Sequence, residues 1–397
     1  MDNNQLSLIK ATVPILKEHG VTLTKHFYQR MFTHNPELKN EFNMGNQANG
    51  RQQTALATAV LAYAEHIENP SVLIGALQSI GQKHVSLNIT AAQYDIVGSH
   101  LIAAIKEVLQ DVATEELLEA WTIAYNQLAK IMIDLEAGYY KENREKKGGW
   151  NGWRTFIINR IVEESTEIKS FYLTPKDNQP IASYHPGQYL SVKTFVEALG
   201  HEQPRQYSLS SAFNEKYYRI SVKKENPENL PAGYVSNNLH NKKVGDQIEV
   251  SAPAGLFHIG EKPQQPLVLI SGGVGITPMM SILEAQAEKE NKIVWLHSCR
   301  NENVQAFKNE VNHYHENFKN VTAYTFFNEL ASETKYKKIG FMNLDEIKKD
   351  IILPDAKYYV CGPQAFIKAQ FESLKKLGVQ QDSIFYEEFG PQLLNLN

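Results

Sequence analysis

Apolar residues recur at helical spacing along the first third of the chain, in LIKATVPILKEHG, VLAYAEHI, YDIVGSHLIAAIKEVL and ELLEAWTIAYNQLAKIMIDLEAGYY. The period predicts an all-helical region of about six to eight helices over residues 1 to 140. Asn35-Pro36 and Asn69-Pro70 read as breaks between helices, and Thr114 followed by Glu115 and Glu116 reads as the start of the helix containing LLEAW.

The pattern then changes twice. KENREKKGGWNGW replaces periodicity with charges and glycines, which predicts an exposed linker over 141 to 151. In RTFIINRIVEES, QYLSVKTF, YYRISVKK and DQIEVSAP the apolar period drops to two, with PKDNQP, SYHPG and PENLPAG between them, so residues 152 to 262 are expected to form an antiparallel β-barrel. From PLVLISGGVG onward, apolar strands alternate with the helical patterns MMSILEAQAEKE and QAFIKAQFESLKKLG. That alternation predicts an α/β domain with a parallel sheet over 263 to 397.

Composition narrows the class. A chain of 397 residues that is 42% hydrophobic and 21% charged can bury several cores. Its formal net charge of -4 leaves no basic footprint for nucleic acid or an anionic membrane. The start MDNNQLSLIKATVP has no leader pattern, and no apolar run approaches the roughly 18 residues of a spanning helix, so the expected location is the cytoplasm. Two cysteines, Cys299 and Cys361, are too few for a disulfide framework or a four-thiolate site. No obligatory protein partner is implied.

Candidate chemistry sits at a few positions. In PLVLISGGVGITPMM a buried strand runs into Gly272, Gly273 and Gly275, and Ile276, Thr277 and Pro278 open a helix whose backbone amides suit a pyrophosphate or simply a tight turn. RQYSLSS offers the Arg205 guanidinium for a phosphate and the Tyr207 ring for a flat partner, with Ser208 on the opposite face of the strand. Cys361 ends an apolar strand without a partner thiol and reads as a packing residue. His84, in IGQKHVSLNIT, lies at a helix end, where a lone histidine is more often structural than a ligand.

The ordered set GQYLSV, RQYSLS, GYVSNNL, ISGGVGITPM, VCGPQAF and EEFG resembles the ferredoxin-NADP reductase family over residues 150 to 397. The resemblance implies that Tyr189, Arg205, Gln206, Tyr207, Ser208, Gly233, Val235 and Ser236 bind FAD. It implies further that Gly272, Gly273, Gly275, Ile276, Thr277 and Pro278 hold the phosphates of NADH or NADPH, that Cys361, Gly362 and Pro363 lie near the nicotinamide, and that Phe389 covers the flavin. The stretch KKENPENLPAGYV is longer than the compact family loop. Ser298 and Arg300 are candidates for a 2′-phosphate contact, and both nucleotides stay open.

HFYQRMFTHNPELK, EFNMGNQANGRQ, QKHVSLNI and YDIVGSHL resemble the globin family, and with the second half the whole chain resembles the flavohaemoglobins. That resemblance implies one haem b per chain, with His84 as the iron ligand and Tyr94 and Glu136 behind it. It places Tyr28 and Gln52 at the gas-binding side, with Phe42 and Leu56 lining it, and associates Lys83 and Glu387 with the potentials of haem and flavin. Asp134 is expected to be a solvated charge. The implied activity is nitric oxide dioxygenation, in which electrons pass from NAD(P)H through FAD to haem and nitric oxide with O2 becomes nitrate. An O2 sensor or store is one rival, and an NAD(P)H-dependent flavin or haem reductase of peroxides or ferric iron is another.

Overall fold

The structure, a computed structural model, describes residues 1 to 225, 233 to 260 and 264 to 391. It divides into two compact units: residues 1 to 153 with 193 to 205, and residues 154 to 192 with 206 to 397.

The first unit is built from α1 (Asn3–Ala11), α2 (Val13–His34), α3 (Met44–Ala48), α4 (Arg51–Glu65), α5 (Ile74–Ser86), α6 (Ala91–Leu109) and α7 (Glu115–Glu145). The expected punctuation is where the chain turns. Asn35 closes α2 and Asn69 precedes a single turn at Pro70–Leu73. The Thr114 side chain accepts from Leu117 N at 3.3 Å and so caps α7. α1, α2, α4, α6 and α7 each bury a stripe in one core around Phe27, Met31, Leu101, Ile105 and Trp121. Burying each such side chain is worth roughly 1.5–3 kcal/mol, more than the short helices supply from propensity.

α7 continues through KENRE to Glu145, so the first residues of the exposed linker that the sequence places over 141 to 151 are helical. KENREKK contains no glycine or proline to stop a helix, and the chain leaves helical geometry only at Lys146, before Gly148 and Gly149. Among the described residues, no helix is long and apolar enough to cross a membrane.

The barrel strands are β1 (Arg154–Glu163), β2 (Ile168–Pro175), β3 (Tyr189–Val196), β4 (His201–Ser208), β5 (Tyr218–Lys223) and β6 (Gln247–Val250), with α8 (Tyr234–His240) before β6. Their order is β4-β3-β6-β1-β2-β5, and the β1–β2, β1–β6 and β2–β5 pairs are antiparallel. An isolated antiparallel bridge between Leu209, just after β4, and Ile220 on β5 links the two ends of that order at one point. By contact, the β3–β4 hairpin segment 193 to 205 groups with the helices. The longer-than-expected loop before Gly233 lies largely outside the described residues.

The second sheet comprises β7 (Leu267–Gly272), β8 (Ile293–Cys299), β9 (Val321–Phe327), β10 (Lys337–Ile339), β11 (Lys357–Gly362) and β12 (Ile384–Glu388), with α9 (Ile276–Gln286), α10 (Lys308–Asn317), α11 (Lys348–Ile351) and α12 (Gln364–Lys376) between strands. Every pairing is parallel and the order is β10-β9-β8-β7-β11-β12. Apolar cores cover both faces, as parallel sheets require. The barrel is tied to this sheet by Arg219, only 3% exposed, whose guanidinium donates to the Ser210 carbonyl, to both Glu310 oxygens at 3.0 and 3.2 Å and to Glu284 at 3.4 Å. A buried cation is tolerated because it is paired and hydrogen-bonded on several sides.

Candidate active site

α5 ends at Ser86, two residues after His84, and Asn88 then takes a left-handed conformation, φ +61°, which asparagine tolerates. Ile89 N then donates to the His84 carbonyl at 3.0 Å, so the backbone of the histidine is fixed by the cap. α6 and α7 bring up its side-chain partners. His84 Nδ1 lies 2.8 Å from Glu136 Oε1 and 3.0 Å from the Tyr94 hydroxyl, and Tyr94 donates to the same carboxylate oxygen at 2.5 Å.

Glu136 is 3% exposed whereas the His84 side chain is 31% exposed. A carboxylate that accepts at Nδ1 keeps the proton there, and the lone pair is left on Nε2. Burial, then the hydrogen bond to Glu136, pushes the Tyr94 phenol far above its ordinary value, so it stays a donor. Asp134 instead pairs with Lys130 on the surface at 2.9 Å. Lys83 is half-buried on the same helix as His84.

α2 presents Tyr28, 4% exposed, among Phe27, Phe32 and Phe42, with ring centroids 4.9, 5.9 and 5.8 Å away. Burial pushes its phenol up to about 12, against the opposing pull of the Gln52 and Gln47 amides. The group is therefore a neutral hydroxyl with a proton to donate. Gln52 and Leu56 lie one turn apart on α4, and Leu56 and Phe42 are partly buried against the helical core.

Sequence reasoning missed the residues that hold this side together. Gln53, 8% exposed, donates from Nε2 to the Gln47 carbonyl at 3.1 Å and to Gln47 Oε1 at 2.9 Å. Gln203, fully buried on β4, accepts from Met44 N at 3.0 Å and donates to the Lys39 carbonyl at 3.0 Å, while Glu202 N donates to Asn40 Oδ1 at 2.9 Å. The 39-to-44 segment is thus pinned by the hairpin. The only signal in the sequence is a run of glutamines around Gly50, which looks like a solvated loop.

Around the barrel, Arg205, Gln206, Tyr207 and Ser208 end β4. The first three are half-buried and Ser208 is 7% exposed. Gln206 Nε2 donates to Ser191 Oγ at 3.2 Å and Arg205 to the Pro204 carbonyl at 2.7 Å. Tyr189 begins β3 and is bridged to Ala254. Gly233 precedes α8, and Val235 and Ser236 are buried, the latter donating to the Gly233 carbonyl at 3.0 Å.

In the parallel sheet, β7 runs first, β8 lies on one side and β11 on the other, so the turns after β7 and β11 flank a topological switch point. Gly273 is exposed there at φ +54°, with nothing within 4 Å of a Cβ, a cradle open to a ligand. Gly275 is different: a Cβ would lie 2.2 Å from the Cys361 carbonyl oxygen, so this glycine lets the turn pack onto Gly362. Ile276 and Pro278 point into the core, and the Thr277 hydroxyl donates to the Val274 carbonyl at 3.0 Å. Any phosphate contact from those three falls to backbone. Cys361 is fully buried and burial pushes its thiol well up, which suits packing and not nucleophilic chemistry. Gly362 and Pro363 lead into α12. Glu387 is half-buried on β12, and Phe389 is 37% exposed just beyond it.

Three family models match in chain order: Globin over residues 25–132, Oxidoreductase FAD-binding domain over 155–259 and Oxidoreductase NAD-binding domain over 269–371. The flavohemoprotein of Chromobacterium violaceum is 47% identical over 391 residues, 97% of each chain, and that of Rhizobium meliloti 45% over 392 residues, again 97% of each. The chain belongs to the flavohemoprotein family.

Among solved structures, the flavohemoglobin from Malassezia yamatoensis with bound FAD and heme is 26% identical, with a TM-score of 0.87 over 98% of this chain and 99% of that one. The FAD/NAD-binding domain of a nitric oxide dioxygenase from Vibrio cholerae is 36% identical and covers 60% of this chain and 99% of its own length, with a TM-score of 0.55. As a flavohemoprotein the chain combines an all-α globin domain with an FAD-binding barrel and an NAD-binding parallel sheet.

Proposed function

We propose that this flavohemoprotein is a nitric oxide dioxygenase that carries one haem b and FAD and draws electrons from NADH or NADPH. The observation that carries the reading is the His84–Glu136–Tyr94 triad, which leaves an imidazole Nε2 with a lone pair, in a unit that also buries the neutral hydroxyl donor Tyr28. That donor set fits haem: a porphyrin needs only one protein ligand, and His84 is a single imidazole oriented through Nδ1 by Glu136.

Haem when bound supplies one-electron chemistry and a gas-binding position, and FAD divides the electron pair of the nicotinamide into single electrons. Each nitric oxide, with one O2 and one electron, then gives nitrate. His84 would hold the iron through Nε2, and Glu136, accepting from Nδ1, would strengthen the imidazole as a donor. Tyr28, kept neutral by burial, and Gln52 would donate to negative charge on the gas ligand's oxygen. Phe42 and Leu56, partly buried against the helical core, would keep the gas-binding side apolar. Lys83 and Glu387 tune the potentials by their charge.

Tyr189, Arg205, Gln206, Tyr207, Ser208, Gly233, Val235 and Ser236 hold FAD, with Phe389 against the flavin. Gly272, Gly273 and Gly275, with the backbone of Ile276, Thr277 and Pro278, hold the dinucleotide phosphates at the switch point. Cys361, Gly362 and Pro363 shape the nicotinamide side. Arg300 pairs with Glu167, which leaves its charge partly compensated for a 2′-phosphate.

The test is nitric oxide consumption driven by NADH in aerated buffer by the haem- and FAD-loaded chain. The reading requires nitrate as product and one O2 consumed per nitric oxide. Oxidation of NADH with nitric oxide persisting overturns it in favour of a reductase.

A further inference from the structure

α5 and α7 run close together because Gly81, one turn before His84, has no Cβ: one built there would stand 3.2 Å from Leu135 Cδ2 and 3.3 Å from Tyr139 Cε2. The two helices are joined again just past the end of α5. Tyr140 lies one turn beyond Glu136 on α7, and its hydroxyl donates to the Ile89 carbonyl at 2.6 Å. Ile89 N donates back to the His84 carbonyl at 3.0 Å, so this one residue is held by α7 through its oxygen and holds His84 through its nitrogen. α7 therefore grips His84 from two adjacent turns, at the imidazole through Glu136 and at the main chain through Tyr140.

The linker closes on the same corner. Asn151 Nδ2 donates to the Tyr140 carbonyl at 3.1 Å, and a Cβ on Gly152 would lie 3.5 Å from Oδ1 of Asn88, the residue that turns the chain after α5. Burial, then the charge of Glu136, pushes the Tyr140 phenol up, so it remains a donor. The bond from His84 Nδ1 to Glu136, 2.8 Å, is as short as a charge-assisted hydrogen bond of about 2.7–2.9 Å should be. Its length depends on how far the end of α5 can slide along α7.

We propose that Tyr140 is a positioning residue for His84: by anchoring the Ile89 carbonyl to α7 it fixes the separation of Nδ1 and Glu136, and so sets how strongly Nε2 donates to the haem iron. The inference rests on His84 being the iron ligand, as in the function proposed above.

The experiment is resonance Raman of the iron–histidine stretch in the ferrous, ligand-free, haem-loaded full chain, with nitric oxide consumption as a second readout. Glu136→Gln weakens the acceptor at Nδ1 and sets the scale by lowering the frequency. Tyr140→Phe is expected to lower it in the same direction by a smaller amount, to cut nitric oxide consumption about two- to tenfold, and to leave haem content unchanged. In a Glu136→Gln background it should add no further shift. Tyr63→Phe separates positioning from stability: the Tyr63 hydroxyl donates to the Ala124 carbonyl at 3.0 Å, a bond of the same kind between α4 and α7, and its loss should lower Tm without moving the frequency.

An unchanged frequency in Tyr140→Phe, an equal shift in Tyr63→Phe, or a full shift that persists in the Glu136→Gln background overturns the proposal. If the parent shows no iron–histidine mode at all, His84 is not the ligand and the underlying functional reading fails with it. If Glu136→Gln moves the mode and Tyr140→Phe does not, only the positioning role is wrong.

Discussion

The two polar clusters of the helical unit are built on opposite terms. Behind His84 every polar atom named is engaged: Nδ1, the Tyr94 hydroxyl and the Glu136 carboxylate close on one another at 2.5 to 3.0 Å. Beside Tyr28, buried groups are left over, Gln47 Nε2 and Gln53 Oε1 among them. Buried polar groups in folded proteins are nearly always satisfied, so a closed network reads as a fixed support and an open one as a place prepared for something else. The contrast sets a closed support behind His84 against an open cluster beside Tyr28.

The strongest way to break that contrast is to remove the support. His84→Ala should abolish stable haem binding, read as loss of the Soret band, and lower nitric oxide consumption by more than about 100-fold, while NADH oxidation with an artificial acceptor persists. Glu136→Gln keeps the shape but weakens the acceptor at Nδ1, and should cost about 10- to 100-fold in activity or haem affinity. Asp134→Asn, two residues away and exposed, should match the parent within error in the same assay, because its partner is a surface lysine.

On the open side the loss is smaller and shows elsewhere. Tyr28→Phe should leave haem content intact and speed O2 dissociation by roughly tenfold or more, the worth of a hydrogen bond to a charged group. Unchanged dissociation would show that the two clusters do not differ as described.

A second histidine sharpens the comparison by lacking a ligand role altogether. His297 is 1% exposed, lies 2.9 Å from Ser271 Oγ through Nδ1, and has its pKa pushed down to about 4 from 6.5 by burial. The unfolded chain takes up a proton near 6.5 and the folded chain does not, so stability from this group is complete above 6.5 and is lost as pH falls toward 4. The melting temperature should therefore drop across that window, and His297→Gln should flatten the slope without affecting haem content. An equal slope in the variant would assign the acid sensitivity to other groups.

Much of this was legible in the residues. Helical period and caps such as Thr114 are local physics, and the structure follows them. Glu136 and Asp134 are told apart by their direction on α7, one buried and one exposed. What escaped depends on distant contacts. Gln203 is an ordinary strand glutamine until β4 carries it to Met44, 159 residues away in sequence. Gly275 reads as a phosphate glycine, yet its tight constraint is the Cys361 carbonyl. Gln47 is indistinguishable from its neighbours until the hydrogen bonds to Gln53 orient it.

The central claim is that O2 and nitric oxide combine at the helical unit with electrons from the nicotinamide. The most direct measurement supplies labelled 18O2 and unlabelled nitric oxide to the loaded enzyme with NADH, and reads the mass of the nitrate formed. Dioxygenation predicts that two of the three nitrate oxygens carry the label, with one electron drawn per nitrate. Nitrate carrying only one labelled oxygen, or NADH oxidation without nitrate, would contradict the account.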